Sequence, residues 1–135
     1  MSEIVINTNK RTQFVDITLD VKKLVPSDIK EGHCVIFSTH TTAGIMINEH
    51  ADTDVMDDFA SLLDKIVPWN DVKYTHNEGN SAAHIKSSIV GTSQIVPVNS
   101  GQLCLGTWQG IFFCEFDGPR TRKVIVTFAN GNTGN

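Results

Sequence analysis

Apolar residues recur along this chain with two different periods. Between positions 52 and 67, Val55, Met56, Phe59, Leu62, Leu63 and Ile66 fall at i, i+1, i+4, i+7, i+8 and i+11, the spacing of one helical face. Asp52 or Thr53 can cap this helix, Asp54 and Asp57 complement the positive end of its dipole, and Pro68 stops it. At about 100° per residue, Asp58 lands on the edge of the apolar stripe. There it reads either as a partly desolvated general base or histidine partner, or as a solvated acid flanking the core. A second helix is predicted over 81–90: Asn80 and Ser81 are good caps, Ala82-Ala83-His84-Ile85-Lys86 favours helix, and Gly91 is placed to end it. Residues 20–29 carry Val21, Leu24 and Val25 at helical spacing before Pro26, which predicts a turn or two of helix.

The remaining periodicity is that of strands. Residues 2–8 and 12–19 read as a strand pair with Asn9-Lys10 at the turn, and in the second Val15, Ile17 and Leu19 alternate with Phe14, Asp16 and Thr18. HCVIFST (33–39) and GIMIN (44–48) are nearly continuous apolar runs joined by His40-Thr41-Thr42-Ala43, which predicts a hairpin or one bulged strand. Strands are also expected at 93–98, where Pro97 suits an edge or a strand end, and at 101–107, 111–116 and 123–128, with a turn at Asp117-Gly118-Pro119-Arg120. The tail ANGNTGN is polar, small and expected to be loose. Strands grouped at both ends of the chain, two solid helices and no regular βαβ alternation predict an α+β domain: a largely antiparallel sheet or sandwich with the helices packed on one side.

Composition narrows the class. A chain of 135 residues is one domain's worth, and 40% hydrophobic with 19% charged residues is ordinary globular usage. No secretory signal or transmembrane run is evident, so a cytoplasmic protein without a membrane partner is expected. The net charge of −4, with basic residues scattered except for Arg120-Thr121-Arg122-Lys123, disfavours nucleic acid as a partner. Cys34, Cys104 and Cys114 sit in apolar runs without a Cys-x-x-Cys spacing and are expected to be buried free thiols. Apolar strands such as HCVIFST and GIFFCEF need covering by helices or by another subunit.

The chemistry concentrates in YTHNEGNSAAHIKSSIVGT (74–92). The start of the helix at Ser81 offers unpaired N–H groups and the positive end of a dipole, and His84 projects from the same turn, a combination suited to an anion. His40, His50, His76 and His84 all lie beside loops or helix starts. With Glu49 or Asp58 they are a candidate zinc set, although no H-E-x-x-H spacing is present. The competing reading needs no metal: His84 acts near neutral pH with a carboxylate orienting it.

Three segments, HTTAGIMINEHADTDVMDDF, YTHNEGNSAAHIKSS and SQIVPVNSGQLCLGTWQGIFFCEFDGPR, together resemble the YjbQ-like family, also known as the secondary thiamine-phosphate synthase family. The resemblance covers nearly the whole chain and is most specific at GTWQGIFFCEFDGPR. It implies a β-rich fold that assembles as a homo-oligomer, a trimer or hexamer, and a polar pocket of histidines and acids. It also implies a weak ability to couple hydroxymethylpyrimidine diphosphate to a thiazole phosphate with loss of diphosphate. The matching polar residues are His40, Asn48, Glu49, Asp58, His76, Glu78, His84, Trp108, Gln109, Glu115 and Arg120; Thr53 departs from the family's frequent proline, at a first helical turn where either is tolerated.

On this resemblance, Asn80, Ser81 and Arg120 are the phosphate-binding candidates, with Arg120 alternatively a tie to Glu115 or Asp117. His84 is the acid/base, with Asp58 orienting it and Glu49 as a further catalytic acid. His40, His76 and His84 are the candidate ligands for zinc, while magnesium would suit a departing diphosphate. Two other readings stay open: a zinc-dependent hydrolase or lyase, and a non-enzymatic protein that binds a small phosphorylated metabolite.

Overall fold

The computed structural model describes residues 1–131. In chain order the elements are β1 (Ser2–Asn7), β2 (Gln13–Asp16), α1 (Thr18–Lys22), β3 (Glu31–Ser38), β4 (Ala43–Glu49), α2 (Thr53–Ile66), α3 (Ser81–Val90), β5 (Ser93–Asn99), β6 (Gln102–Leu103), β7 (Gln109–Glu115) and β8 (Thr121–Asn130). They build two antiparallel sheets, one five-stranded in the order β1-β8-β3-β5-β6 and one three-stranded in the order β2-β7-β4. The fold is α+β, as the strand and helix patterning predicts.

The three-stranded sheet is the middle of three layers. One of its faces packs Ala43, Ile45, Ile111 and Phe113 against Cys34, Ile36, Val96, Val124 and Val126 of the five-stranded sheet. Its other face packs Met46, Phe112 and Cys114 against Met56 and Leu63 of α2 and Ala82 and Ala83 of α3. A strand buried on both faces has no polar positions to alternate, which is why GIFFC reads as a continuous apolar run. The five-stranded sheet is covered on one face only and keeps its alternation: in β3, Cys34, Ile36 and Ser38 are buried while His33 and Phe37 are exposed.

Several local expectations are corrected. β1 and β2 do not pair with each other: β1 lies beside β8 and β2 beside β7, so the connection at 8–12 crosses between sheets. β3 and β4 are likewise not a hairpin, because the link at 39–42 carries the chain from one sheet to the other. Ser38 Oγ donates to the Ala43 carbonyl (2.9 Å) and closes that crossing. The strand expected to reach Leu19 stops at Asp16, whose Oδ1 accepts from both the Thr18 N–H (2.9 Å) and the Thr18 hydroxyl. That local bonding turns the backbone into α1, so the short helix begins earlier than its apolar spacing indicated. The run 101–107 keeps only the two residues of β6 as strand. Of the tail, residues 132–135 lie outside the described residues.

Both long helices form where their patterns place them. Asp52 caps α2 by accepting the Asp54 N–H (2.9 Å). The buried stripe of α2 is narrower than its sequence period suggests, since Leu62 and Ile66 are exposed. Lys86 on α3 is buried and paired with Asp64 on α2, a tie between the two helices. No helix among the described residues is long and apolar enough to cross a membrane.

Candidate functional site

The chain leaving β7 builds one end of the middle layer. Glu115 is fully buried, facing the five-stranded sheet, and pairs with the buried Arg122 of β8 through Nε (2.8 Å) and Nη2. Thr8 Oγ1 (2.8 Å) and the Asp117 N–H (3.0 Å) donate to the same carboxylate, and Arg122 Nη2 also reaches Thr42 Oγ1 (2.8 Å). Burial pushes the Glu115 carboxyl up, but the hydrogen bonds from Arg122, Asp117 and Thr8 outweigh it and hold it below the usual carboxylate range.

This anchored turn positions the side chains that the sequence singled out. Asp117 Oδ2 accepts from Asn80 Nδ2 (2.8 Å) and from Arg120 Nη2 (3.0 Å), so it joins the start of α3 to the one arginine expected to bind phosphate. Arg120 Nε donates to the Asp117 carbonyl (2.8 Å), which makes Asp117, not Glu115, its tie. Half of the Arg120 side chain remains exposed. Asn80 stands at the N-cap position but makes no side-chain cap bond, because its amide is turned inward to Asp117 and Glu78. Its Oδ1 is buried and has no partner.

Above this turn, His76 and His84 meet edge to face, with ring centroids 5.2 Å apart and planes at 88°. They line a recess of about 400 Å³ together with Lys73, Tyr74, Thr75, Ser81 and Ile85. Tyr74 holds the approaching loop by donating its hydroxyl to the Pro68 carbonyl (2.7 Å). Three basic side chains and the opening turn of a helix therefore border one cavity, and no carboxylate among the described residues lines it.

The structure separates the other candidates. Asp58 is exposed on α2 and lines neither this recess nor the cleft beside Glu49, because the helix buries too narrow a stripe to cover its margin. Glu49, at the end of β4, lines that different cleft beside His50. His40 is half-buried near the ion pair, where its Nε2 accepts the Lys123 N–H (2.9 Å). Burial and the neighbouring Arg122 charge lower its pKa, so the ring stays neutral. With Nε2 occupied, His40 does not join His76 and His84, and no group of three or more His, Cys, Asp or Glu side chains converges as a metal site among the described residues. The three-histidine zinc set does not fit the geometry of this chain.

Two features escaped the sequence reading. Lys73 completes the basic lining of the recess, yet nothing in its local pattern marks it. Arg122 was legible in principle: it shares the inward face of β8 with Val124 and Val126, and a charge in that register has to be paired. Among the thiols, Cys34 and Cys114 are buried as expected, whereas Cys104 is exposed, since the strand expected to run through it stops at Leu103.

Similarity to known proteins agrees with this fold. The profile described as "UPF0047 protein YjbQ-like" matches residues 2–131. UPF0047 protein YugU of Bacillus subtilis is 52% identical over 122 residues, covering 90% of this chain and 92% of that one. A UPF0047 protein of Methanocaldococcus jannaschii is 52% identical over 124 residues, covering 90% and 88%. Among solved structures, an uncharacterised YjbQ/UPF0047 protein from Clostridium acetobutylicum superimposes with a TM-score of 0.92 at 52% identity, over 96% of this chain and 100% of that one. A YbjQ-like protein of unknown function from Sulfolobus solfataricus gives 0.91 at 35% identity, over 96% of each. The three-layer fold, with GTWQGIFFCEFDGPR supplying its central strand and anchoring turn, thus belongs to a member of the UPF0047 YjbQ-like family.

Proposed function

We propose that this protein binds a small phosphorylated metabolite in the recess between His76 and His84, in the cytoplasm and as a homo-oligomer. The observation that carries the reading is the lining of that recess: Lys73, His76 and His84 beside the start of α3 at Ser81, with no carboxylate among them. An oxyanion there meets N–H donors, the positive end of a ten-residue helix and a lysine. Arg120, joined to the same helix start through Asp117, keeps half its side chain in solvent for a second phosphate. Asn80 acts by fixing this link, since its amide is already engaged. Thiamine-phosphate synthesis is a secondary activity on this reading. His84 would serve as the acid/base and Arg120 would hold the departing diphosphate. Magnesium, when bound to that diphosphate, would neutralise its charge.

Exposed apolar side chains support the oligomer. Leu62 and Ile66 on α2 and Ile85 and Ile89 on α3 are open to solvent, as are Phe37 and Ile95 on the uncovered face of the five-stranded sheet. Val35 stands opposite Ile95 and Phe37 opposite Ile125, which adds two apolar cross-strand pairs to that face.

Thermal shift with a panel of phosphorylated metabolites and their dephosphorylated counterparts tests the reading. At least one phosphorylated compound should raise the melting temperature, and Lys73→Ala and His84→Ala should each weaken its Kd by about tenfold, the loss of one charge-assisted contact. No shift with any member, or shifts unchanged in both variants, overturns it. Thiamine phosphate detected by mass spectrometry in wild type but not in His84→Ala is the outcome expected for the synthase activity; equal product in both removes His84 from it.

A further inference from the structure

The other cleft, of about 500 Å³, runs along β2 beneath α2 and is unlike the recess at His76 and His84 in its charge and in its chemistry. Asp16 ends β2 and His50 follows β4, on opposite flanks of β7. The His50 ring crosses β7 at Gly110, where an added Cβ would stand 2.5 Å from the ring's Cγ and Nδ1. A residue without a side chain at 110 is therefore what lets the imidazole lie over the strand and reach Asp16, with Nδ1 to Oδ2 at 2.9 Å. The backbone holds the other side: the His50 N–H donates to the Trp108 carbonyl (3.0 Å).

Asp16 is itself held. Its Oδ1 accepts the Thr18 N–H and hydroxyl, and the Thr18 Oγ1 in turn accepts the Ile111 N–H (2.8 Å). Burial tends to raise the Asp16 carboxyl, but the bonds from Thr18 and His50 prevail and keep it ionised. An ionised carboxylate only accepts, so the bridging proton sits on His50 Nδ1, and in the uncharged form of the ring Nε2 is the atom left with a lone pair. Among the described residues Nε2 has no hydrogen-bond partner, and the ring lines the cleft.

The surroundings define what Nε2 would accept from. Glu49, Asp52 and Asp57 line the same cleft with Asp16, against a single cationic side chain among the described residues, Lys10. The lining also includes Phe14, Met56 and Phe112, an apolar wall. An anion would meet four carboxylates here; a protonated amine would meet a lone pair, counter-charge and a surface for its hydrocarbon part.

We propose that the Asp16–His50 pair and the acidic cleft beside it form a second ligand site, one that takes a small organic ammonium ion with an apolar or aromatic body and receives its N–H at His50 Nε2. This site is independent of the phosphate recess. Its test uses the full chain labelled with nitrogen-15, benzylamine hydrochloride as the probe, and NMR of the His50 ring nitrogens. Benzylamine should shift the Nε2 resonance saturably, benzyl alcohol should bind about tenfold or more weakly, and inorganic phosphate should leave His50 unmoved.

In Asp16→Asn the side-chain amide can donate to Nδ1, which transfers the ring proton to Nε2 and turns the acceptor into a donor. Benzylamine affinity should then fall about tenfold or more. Asp57→Asn, at an exposed position on α2, removes counter-charge without touching the packing and should weaken benzylamine but not benzyl alcohol. An absent His50 shift, equal binding of the alcohol, or a Kd unchanged in Asp57→Asn overturns the proposal. None of these outcomes bears on phosphate binding at His84, so the two readings stand or fall separately.

Discussion

Replacing Glu115 by glutamine strikes the group that holds the turn beneath the phosphate recess. Its carboxylate takes hydrogen bonds from Thr8, the Asp117 N–H and two nitrogens of Arg122, all of them donors. A glutamine amide offers one oxygen to this set and points an NH2 group at the rest. Arg122, with a side chain 5% exposed, keeps its bond to Thr42 but loses its counter-ion. Breaking one partner of such a buried pair costs about 3–5 kcal/mol. At about 3–4 °C per kcal/mol for a chain of this size, the melting temperature should fall by about 10–20 °C. Urea unfolding at fixed protein concentration reads the loss directly, with concentration held because self-association adds to stability.

The pH dependence has a definite sign. Glu115 titrates below its unfolded value, so its contribution is complete above the unfolded pKa of about 4.3 and is lost as pH falls through the folded one. The gap between wild type and Glu115→Gln should therefore close in acid, below about pH 4. Removing both charges, as Glu115→Leu with Arg122→Met, should cost less than the sum of the single changes by more than about 1 kcal/mol. A single-variant loss under about 1 kcal/mol, or a double variant equal to that sum, would refute the reasoning.

Two further outcomes follow from burial. Ellman's reagent at neutral pH should find one fast thiol, Cys104, because burial pushes Cys34 up to about 11 and Cys114 higher still; two or more fast thiols in the native protein would contradict this. Asp64→Asn should destabilise by about 1–3 kcal/mol in urea, since the Lys86 side chain, 4% exposed, is left without its partner, and adding Lys86→Met should recover most of the loss; no recovery would show that the helix tie is not ionic.

How much of this was legible depended on whether a residue's neighbours are close in sequence. α2 and α3 could be read because caps, stops and apolar spacing are local: Asp52 lies within a few turns of the face through Met56 and Leu63, and Gly91 directly follows the helix it ends. Strand existence was legible for the same reason. Strand partnership was not, since Phe14 pairs with Cys114 and Ile4 with Val124, pairings set by the layers and not by the intervening turns. At the site, His76, His84 and Ser81 come together because a single loop and one helix turn carry all three. Helical phase put Asp58 at the margin of the apolar stripe and the family resemblance paired it with His84, but phase gives a direction around one helix without saying what lies there.

The same limit explains why the Asp16–His50 pair escaped notice, and what the middle layer does. β7 runs from Gln109, opposite Glu49, to Glu115, opposite Ala43, a span of about 20 Å at 3.3–3.4 Å per residue. At one end, Gly110 yields its side-chain space to an imidazole; at the other, Glu115 fixes the turn that aims Asp117 at Asn80 and Arg120. One strand, buried on both faces along most of its length, thus supplies the fixed end of both arrangements, an acidic cleft beside an imidazole and a basic recess with a helix start. Sites that far apart with no shared partner are expected to respond additively. Coupling between Asp16→Asn and Glu115→Gln beyond about 0.5 kcal/mol in unfolding free energy would mean that β7 shifts as a unit instead of anchoring two separate ends.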